Sequence, residues 1–197
     1  MHQKGFRMTT FVASLLISLD GRNANDVSVP DVEEHEEFNR LFDRSDSIVF
    51  DRTDYELLIP YWDDLDITDP DVHEVEREFA RIFRTKARVV IAADLEEVDS
   101  RTELIRTDPI SYLKAVKQEG ENTVLISAGA ELLTLLLDHN LIDEIHVLMR
   151  PSLLGGDDFP LKDLQHHTNL SLLESRALTG GSLVLRYRVL ESSPATD

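Results

Sequence analysis

The stretch Thr123–Met149, TVLISAGAELLTLLLDHNLIDEIHVLM, contains the pattern that decides the fold. Its first five residues are mostly apolar and predict a buried strand, the Leu-rich run 130–139 predicts a helix, and 145–149 predicts a second strand. Gly129 lies where the first strand meets the helix. A strand, a helix and a strand in this order are typical of a parallel βαβ unit, in which the helix covers one face of the sheet.

The same alternation extends to both sides of this unit. Further strands are predicted at 10–17, 47–50, 88–93 and 104–106, and further helices at 33–44, 55–61, 72–84 and 108–119. The last two predicted strands, 170–177 and 182–190, flank Gly180-Gly181, which predicts a hairpin. We therefore expect a three-layer α/β fold with a mostly parallel sheet of eight or nine strands and an antiparallel C-terminal hairpin.

The composition is that of a globular protein. With 42% hydrophobic residues in a chain of 197, a core can form, and we expect one domain over 9–190 with terminal extensions at 1–8 and 191–197. Cysteine is absent, which excludes disulfides, thiol nucleophiles and Cys-ligated zinc. We expect no metal site.

The strong negative charge limits the partners. A formal net charge of −18 repels the phosphate backbone of nucleic acids and anionic lipid surfaces. The apolar run 11–19 is too short to span a membrane and lacks the cleavage site of a signal peptide. We expect a cytoplasmic protein that binds neither nucleic acid nor membranes.

Two surface features have simple structural interpretations. The acidic helix start 33–37, EEHEE, suits the positive end of the helix dipole and is interpreted as a solvated face. Trp62 is the one Trp of the chain and is expected to pack in the core.

Three segments follow predicted strands, where ligands bind in open α/β sheets. They are Ser18–Gly21, Ser127–Ala130 and Leu154–Gly156. Free N–H groups at the helix start after Gly129 are able to hold a phosphate. Each segment also has a simpler explanation: a tight turn, close packing of helix on strand, and a flexible loop.

The order of these segments resembles a known family. The chain is similar to the reductase domain of the bifunctional riboflavin-biosynthesis deaminase-reductase, which shares the dihydrofolate reductase fold. Five stretches carry the resemblance, which covers about residues 9–190. They are Ser18–Arg22 (SLDGR, against S-x-D-G-k), Ser45–Glu56 (SDSIVFDRTDYE, against aDaillGRrTYE), Ile126–Leu137 (against GGaeLaraLl), Leu141–Ile145 (against glvDEl) and Pro151–Leu161 (against PvvlGgGrplF).

The resemblance implies an oxidoreductase that transfers a hydride from NADPH or NADH to a small heterocyclic substrate. In the family the substrate is a ribosylaminopyrimidine phosphate. Asp20 is then the polar group near the reacting atoms, and Ser18, Gly155 and Gly156 contact the substrate. Ala128, Gly129 and Ala130 are expected to hold the cofactor pyrophosphate, and Arg52 another phosphate.

The departures from the family pattern fall where the cofactor phosphates would lie. The family's G-R-x-T reads Asp51-Arg52-Thr53-Asp54, its Gly-Gly reads Ala128-Gly129, and Asp94 follows the third strand where relatives carry Ser or Arg. The acids Asp51, Asp54 and Asp94 repel a phosphate, and a ribose hydroxyl is able to bond to a carboxylate. We therefore expect weak NADPH binding, with a preference for NADH or loss of cofactor binding.

The sequence is compatible with three functions. The first is the reductase, the second is a non-catalytic binding module that has kept the fold, and the third is an acidic interaction protein. Cofactor binding discriminates the first two. The family resemblance implies a homodimer, and the long C-terminal strands, which leave an exposed sheet edge, predict the same.

Overall fold

The computed structural model describes residues 8–25 and 30–190. Within these residues, eight strands form one sheet. The strands are β1 (Thr10–Ser18), β2 (Ser47–Asp51), β3 (Ala87–Ile91), β4 (Thr102–Ile105), β5 (Thr123–Ser127), β6 (Glu144–Arg150), β7 (Leu170–Ala177) and β8 (Leu183–Val189). The helices are α1 (Val32–Asp43), α2 (Arg52–Asp64), α3 (Glu74–Thr85), α4 (Pro109–Lys117) and α5 (Ala130–Asp138).

The order of strands across the sheet is β4-β3-β2-β5-β1-β6-β8-β7. The neighbours from β4 to β6 pair in parallel, and β8 pairs antiparallel with both β6 and β7. Gly181, at a φ of +90°, lies in the turn that joins β7 to β8. The mostly parallel sheet and its antiparallel C-terminal hairpin are therefore confirmed.

Helices pack on both faces of the sheet because successive strand residues point to opposite sides. In β1, Phe11 and Ala13 join the leucines of α4 and α5, whereas Val12 joins the apolar residues of α1, α2 and α3. Trp62 packs on the same face of the sheet as Val12 and is 9% exposed, which confirms its place in the core. The result is the predicted three-layer arrangement.

The predicted helix at 55–61 was too short. Helix α2 begins at Arg52, directly after Asp51, whose side chain accepts a hydrogen bond from Asp54 N and caps the helix. Pro60 lies inside α2 rather than at its end, and burial of Trp62 favours continuation to Asp64. Among the described residues, none of the helices has the length and hydrophobicity needed to cross a membrane.

The interpretation of the acidic start of α1 as a solvated face was wrong. Glu34, His35 and Glu37 are buried, although Glu36 is exposed. Glu34 and Glu37 share the inner face of the helix with Leu41, and each meets an arginine that a distant strand supplies. Their burial is therefore compensated by ion pairs that the local sequence does not reveal.

Candidate functional site at the carboxyl edge of the sheet

The carboxyl ends of four neighbouring strands meet at one edge. Strands β2, β5, β1 and β6 lie side by side and run in parallel, so the segments that follow them lie at the same edge. Ala13 pairs with Ile126, one residue before β5 ends, while β1 continues to Ser18. The edge is therefore stepped, with β1 reaching about 13 Å beyond β5 at ~3.3 Å per residue.

On the upper step, Asp20 connects the ends of β1 and β6. Its carboxylate accepts hydrogen bonds from the Ser18 hydroxyl at 2.5 Å and from Gly155 N at 2.8 Å, with Leu154 N at 3.2 Å. Gly21 N donates to Ser18 O at 2.9 Å with a φ of +77° at Gly21, which confirms the predicted turn. The Ser18 and Gly155 bonds lower the pKa of Asp20 to about 2, so Asp20 is an acceptor rather than a proton donor at neutral pH.

Arg22 contacts the loop after β6, which contains Leu154 and Gly155, from the side opposite to Asp20. Its Nε donates to Gly155 O at 2.7 Å, while Asp20 binds Gly155 N. At Gly156 the φ is +82°, and an ideal Cβ would lie 2.8 Å from the Arg22 guanidinium. Gly155 is therefore fixed through both of its peptide groups, and a side chain at Gly156 would displace Arg22.

The guanidinium of Arg22 is buried without a full set of acceptors. Arg22 is 2% exposed, and within the described residues its two Nη atoms have no hydrogen-bond partner. The ring of Phe159 covers the group, with 4.1 Å from Cζ to the ring centroid. Arg22 belongs to the SLDGR motif and has no predicted role, because the sequence shows that the residue is basic but not that it is buried.

On the lower step, Asp51 connects the starts of two helices. Its Oδ1 accepts from Asp54 N at 2.9 Å at the start of α2, and its Oδ2 accepts from Gly129 N at 2.6 Å at the start of α5. An ideal Cβ on Gly129 would lie 3.0 Å from the same Oδ2. The carboxylate therefore lies directly against the backbone of Gly129, between Ala128 and Ala130.

Asp54 lies next to Asp51, in the first turn of α2. Its Oδ2 accepts from the Ser127 hydroxyl at 2.9 Å, and the residue is half-buried. Burial and the charge of Asp51 raise the pKa of Asp54, and the Ser127 bond opposes them in part. Two carboxylates, a serine and a helix start thus form one cluster at the end of β5.

Arg52 and Asp94 form a separate exposed group. Arg52 Nη1 is 2.6 Å from Asp94 Oδ2, and its Nε donates to Glu56 at 3.0 Å. The side chain of Asp94 is 72% exposed. The cation predicted for a cofactor phosphate is therefore already paired with two carboxylates.

Comparison with known proteins identifies the family. The model of the RibD C-terminal domain matches residues 9–184, a range that contains every site residue described above. The chain belongs to this family. A curated relative, the uncharacterized protein YyaP of Bacillus subtilis, is 22% identical over 150 residues, which are 76% of this chain and 77% of YyaP.

Solved structures share the fold of this RibD C-terminal domain. A putative riboflavin biosynthesis protein from Shewanella sp. PV-4 has a TM-score of 0.66 and 18% identity over 93% of this chain and 100% of its own. Dihydrofolate reductase from Enterococcus faecalis, in complex with NADP(H), has a TM-score of 0.63 and 11% identity over 94% and 99%. The deaminase/reductase of Thermotoga maritima has a TM-score of 0.61 and 14% identity over 92% of this chain and 56% of its own.

While Asp51 accepts from Gly129 N, the residues present do not fit a cofactor diphosphate at the position that the resemblance implies. In this RibD C-terminal domain the N–H group of Gly129 already donates to Asp51, and Arg52 is already paired with Asp94 and Glu56. The upper step differs, because Arg22 has two Nη atoms there without an acceptor among the residues that the structure describes. The two steps of the edge therefore differ in what they are able to bind.

Proposed function

We propose that this protein is an oxidoreductase that transfers a hydride from a nicotinamide cofactor to a small heterocyclic substrate, in the manner of 5-amino-6-(5-phosphoribosylamino)uracil reductase. Family membership supports the reaction class. The observation that carries the proposal is the placement of Asp20 and Arg22 on either side of Gly155 at the upper step.

The chemistry of these two side chains matches a cyclic amide. Asp20 remains ionised at neutral pH and accepts hydrogen bonds from N–H groups. Arg22 offers donors for a carbonyl or carboxylate oxygen, and its buried charge favours such a partner. Phe159, which is 43% exposed, covers the guanidinium and must shift before a ligand oxygen reaches it.

We expect Asp20→Asn to lower kcat/KM by at least about tenfold, or ~1.4 kcal/mol of transition-state stabilisation. The amide cannot accept from Ser18, Gly155 and a substrate N–H as the carboxylate does. Oxidation of NADPH or NADH is followed with a ribosylaminopyrimidine phosphate as substrate, and exposed Asp157→Asn serves as the control of equal charge. Equal rates for Asp20→Asn and the wild type would exclude Asp20 from the reaction, and no oxidation by the wild type would exclude the reductase.

The second candidate is a non-catalytic binding module, which the contact between Asp51 and Gly129 favours. Calorimetry with both cofactors and the pyrimidine substrate separates the two functions, since a module binds ligand without turnover. Calorimetry is preferable to fluorescence, because Trp62 is buried and lies ten residues along α2 from Arg52, about 15 Å at ~1.5 Å per residue.

A homodimer through the β7 edge accompanies this proposal. Strand β7 ends the sheet, and Leu170 and Leu172 on it are 43% and 54% exposed. An edge strand with exposed leucines invites pairing with a second copy. We expect sedimentation at micromolar concentration and moderate salt to give twice the 22.4 kDa chain mass, and Leu172→Asp to give the monomer. A monomeric wild type would refute the dimer.

A further inference from the structure

The lower step of the edge brings two helix starts to one point. The first N–H groups of a helix have no partner within the helix and carry a partial positive charge, which makes them donors for anions. Here Asp54 N opens α2 and Gly129 N opens α5, and both donate to the single carboxylate of Asp51. The anion that these two helix starts bind is part of the chain itself.

The N–H group of Gly129 already has an anion as its acceptor. Oδ2 of Asp51 lies 2.6 Å from Gly129 N, and an ideal Cβ on Gly129 would come within 3.0 Å of it. A ligand phosphate that accepts from Gly129 N would have to put its oxygen where Oδ2 lies. The phosphate and the Asp51 carboxylate are therefore alternatives at this position.

The surrounding charges also oppose a phosphate. Asp54 lies directly behind Asp51 and is held by Ser127. The nearby cation, Arg52, is shared between Asp94 and Glu56. A phosphate would meet two carboxylates at the helix starts and a cation that is already neutralised.

We propose that Asp51 is an intramolecular competitor for the diphosphate position, so that the wild-type chain binds phosphate-bearing ligands there weakly and binds them more tightly once Asp51 is replaced. The proposal rests on the proposed function for the identity of the ligand that Asp51 competes with, a dinucleotide cofactor. It assigns to Asp51 the role of the residue that determines how tightly the lower step binds a cofactor diphosphate.

The chain offers a matched control at the opposite end of β2. Asp46 Oδ2 accepts from Thr123 N at 2.7 Å, just as Asp51 accepts from Gly129 N. Both aspartates thus bridge β2 to β5 through one backbone N–H, but Thr123 begins a strand and Gly129 begins a helix. Asp46→Asn removes the same charge without opening a helix start.

The test is calorimetric titration of NADPH, NADH and inorganic pyrophosphate at moderate salt, which screens the charge of the whole chain. We expect Asp51→Gly to gain at least about tenfold in affinity for NADPH, NADH and pyrophosphate, or ~1.4 kcal/mol. Asp51→Asn keeps an oxygen that caps α2 and should gain less, and Asp46→Asn should change by less than about twofold. If the Gly variant does not fold, the affinity of the Asn variant for the same ligands still tests the proposal.

The outcomes separate this inference from the proposed function. Tight pyrophosphate or NADPH binding by the wild type, or no gain in either Asp51 variant, overturns the role of Asp51 whether or not the protein is a reductase. A gain in pyrophosphate affinity in an Asp51 variant supports the role of Asp51. If neither that variant nor the wild type binds NADPH or NADH, the reductase function is overturned. A gain equal to that of Asp46→Asn assigns the effect to net charge and also overturns the inference.

Discussion

Replacing Glu34 by Gln is expected to lower the free energy of unfolding by about 3 kcal/mol or more at pH 7. Glu34 and Arg150 are each 6% exposed at the side chain and lie 2.8 Å apart. Glu34 also accepts from the Ser182 hydroxyl at 2.6 Å and closes the cap of α1 with Asp31. One carboxylate thus joins α1, β6 and the turn between β7 and β8, and the change to Gln removes the negative charge that lies 2.8 Å from the buried Arg150 guanidinium.

Denaturant unfolding at neutral pH measures this effect. Glu36→Gln is the control, because Glu36 lies two residues away, is 51% exposed and is 3.7 Å from Arg40. Exposed pairs of this kind contribute less than about 1 kcal/mol, so Glu36→Gln should be close to the wild type. The double variant Glu34→Gln/Arg150→Met should be less destabilised than the sum of the single changes. Equal stability of Glu34→Gln and Glu36→Gln would contradict the role given to the buried pair.

The layers of this protein could be predicted from the sequence because local patterns determine them. The apolar run of β5 and the Leu-rich α5 are predicted to within a residue, and Gly180-Gly181 marks the hairpin. Pro60 suggested that the helix ends near residue 61, but α2 continues to Asp64. The packing of α2 against its neighbours outweighs the cost of a proline in a helix.

The partners of the buried acids could not be predicted, because they come from distant parts of the chain. Glu34 meets Arg150 at a separation of 116 residues, and Glu37 meets Arg176 at 139. The spacing of Glu34, Glu37 and Leu41 on one helix face was a local signal of burial. The helix dipole alone accounts for the acidic residues of the first turn but not for the burial of Glu37.

The candidate site was predicted in outline but not in its contacts. The sequence placed Asp51, Asp54 and Gly129 at one edge of the sheet through the family resemblance. That Asp51 itself binds Gly129 N depends on the pairing of β2 with β5, which brings together residues 78 apart. Arg22 was missed because its burial follows from a loop more than 130 residues away.

The acid stability of the protein is expected to depend on Glu37. The carboxylate is 5% exposed at the side chain, receives Arg176 and Arg40, and lies 3.7 Å from His146. Burial alone would raise the pKa of Glu37, but the nearby His146, the bond from Arg176 and the charge of Arg40 outweigh it and lower the pKa to about 2.

A lowered pKa in the folded state means that the ionised form stabilises the fold. The contribution of Glu37 is fully present above its ordinary value of 4.5 and is lost as the pH falls through about 2. A shift of this size corresponds to at most about 3 kcal/mol, of which about 2 kcal/mol is lost between pH 7 and pH 3. Glu37→Gln lacks this carboxylate and has no such loss.

We therefore expect the stability difference between the wild type and Glu37→Gln to shrink by about 2 kcal/mol from pH 7 to pH 3. Denaturant unfolding at both pH values measures it. Glu174→Gln is the control, since Glu174 pairs with Arg186 at 3.1 Å beside the same cluster but is 39% exposed, so this variant should keep the pH dependence of the wild type. If the stabilities of the wild type and Glu37→Gln fall in parallel, the buried carboxylate is not the group whose protonation weakens the fold in acid.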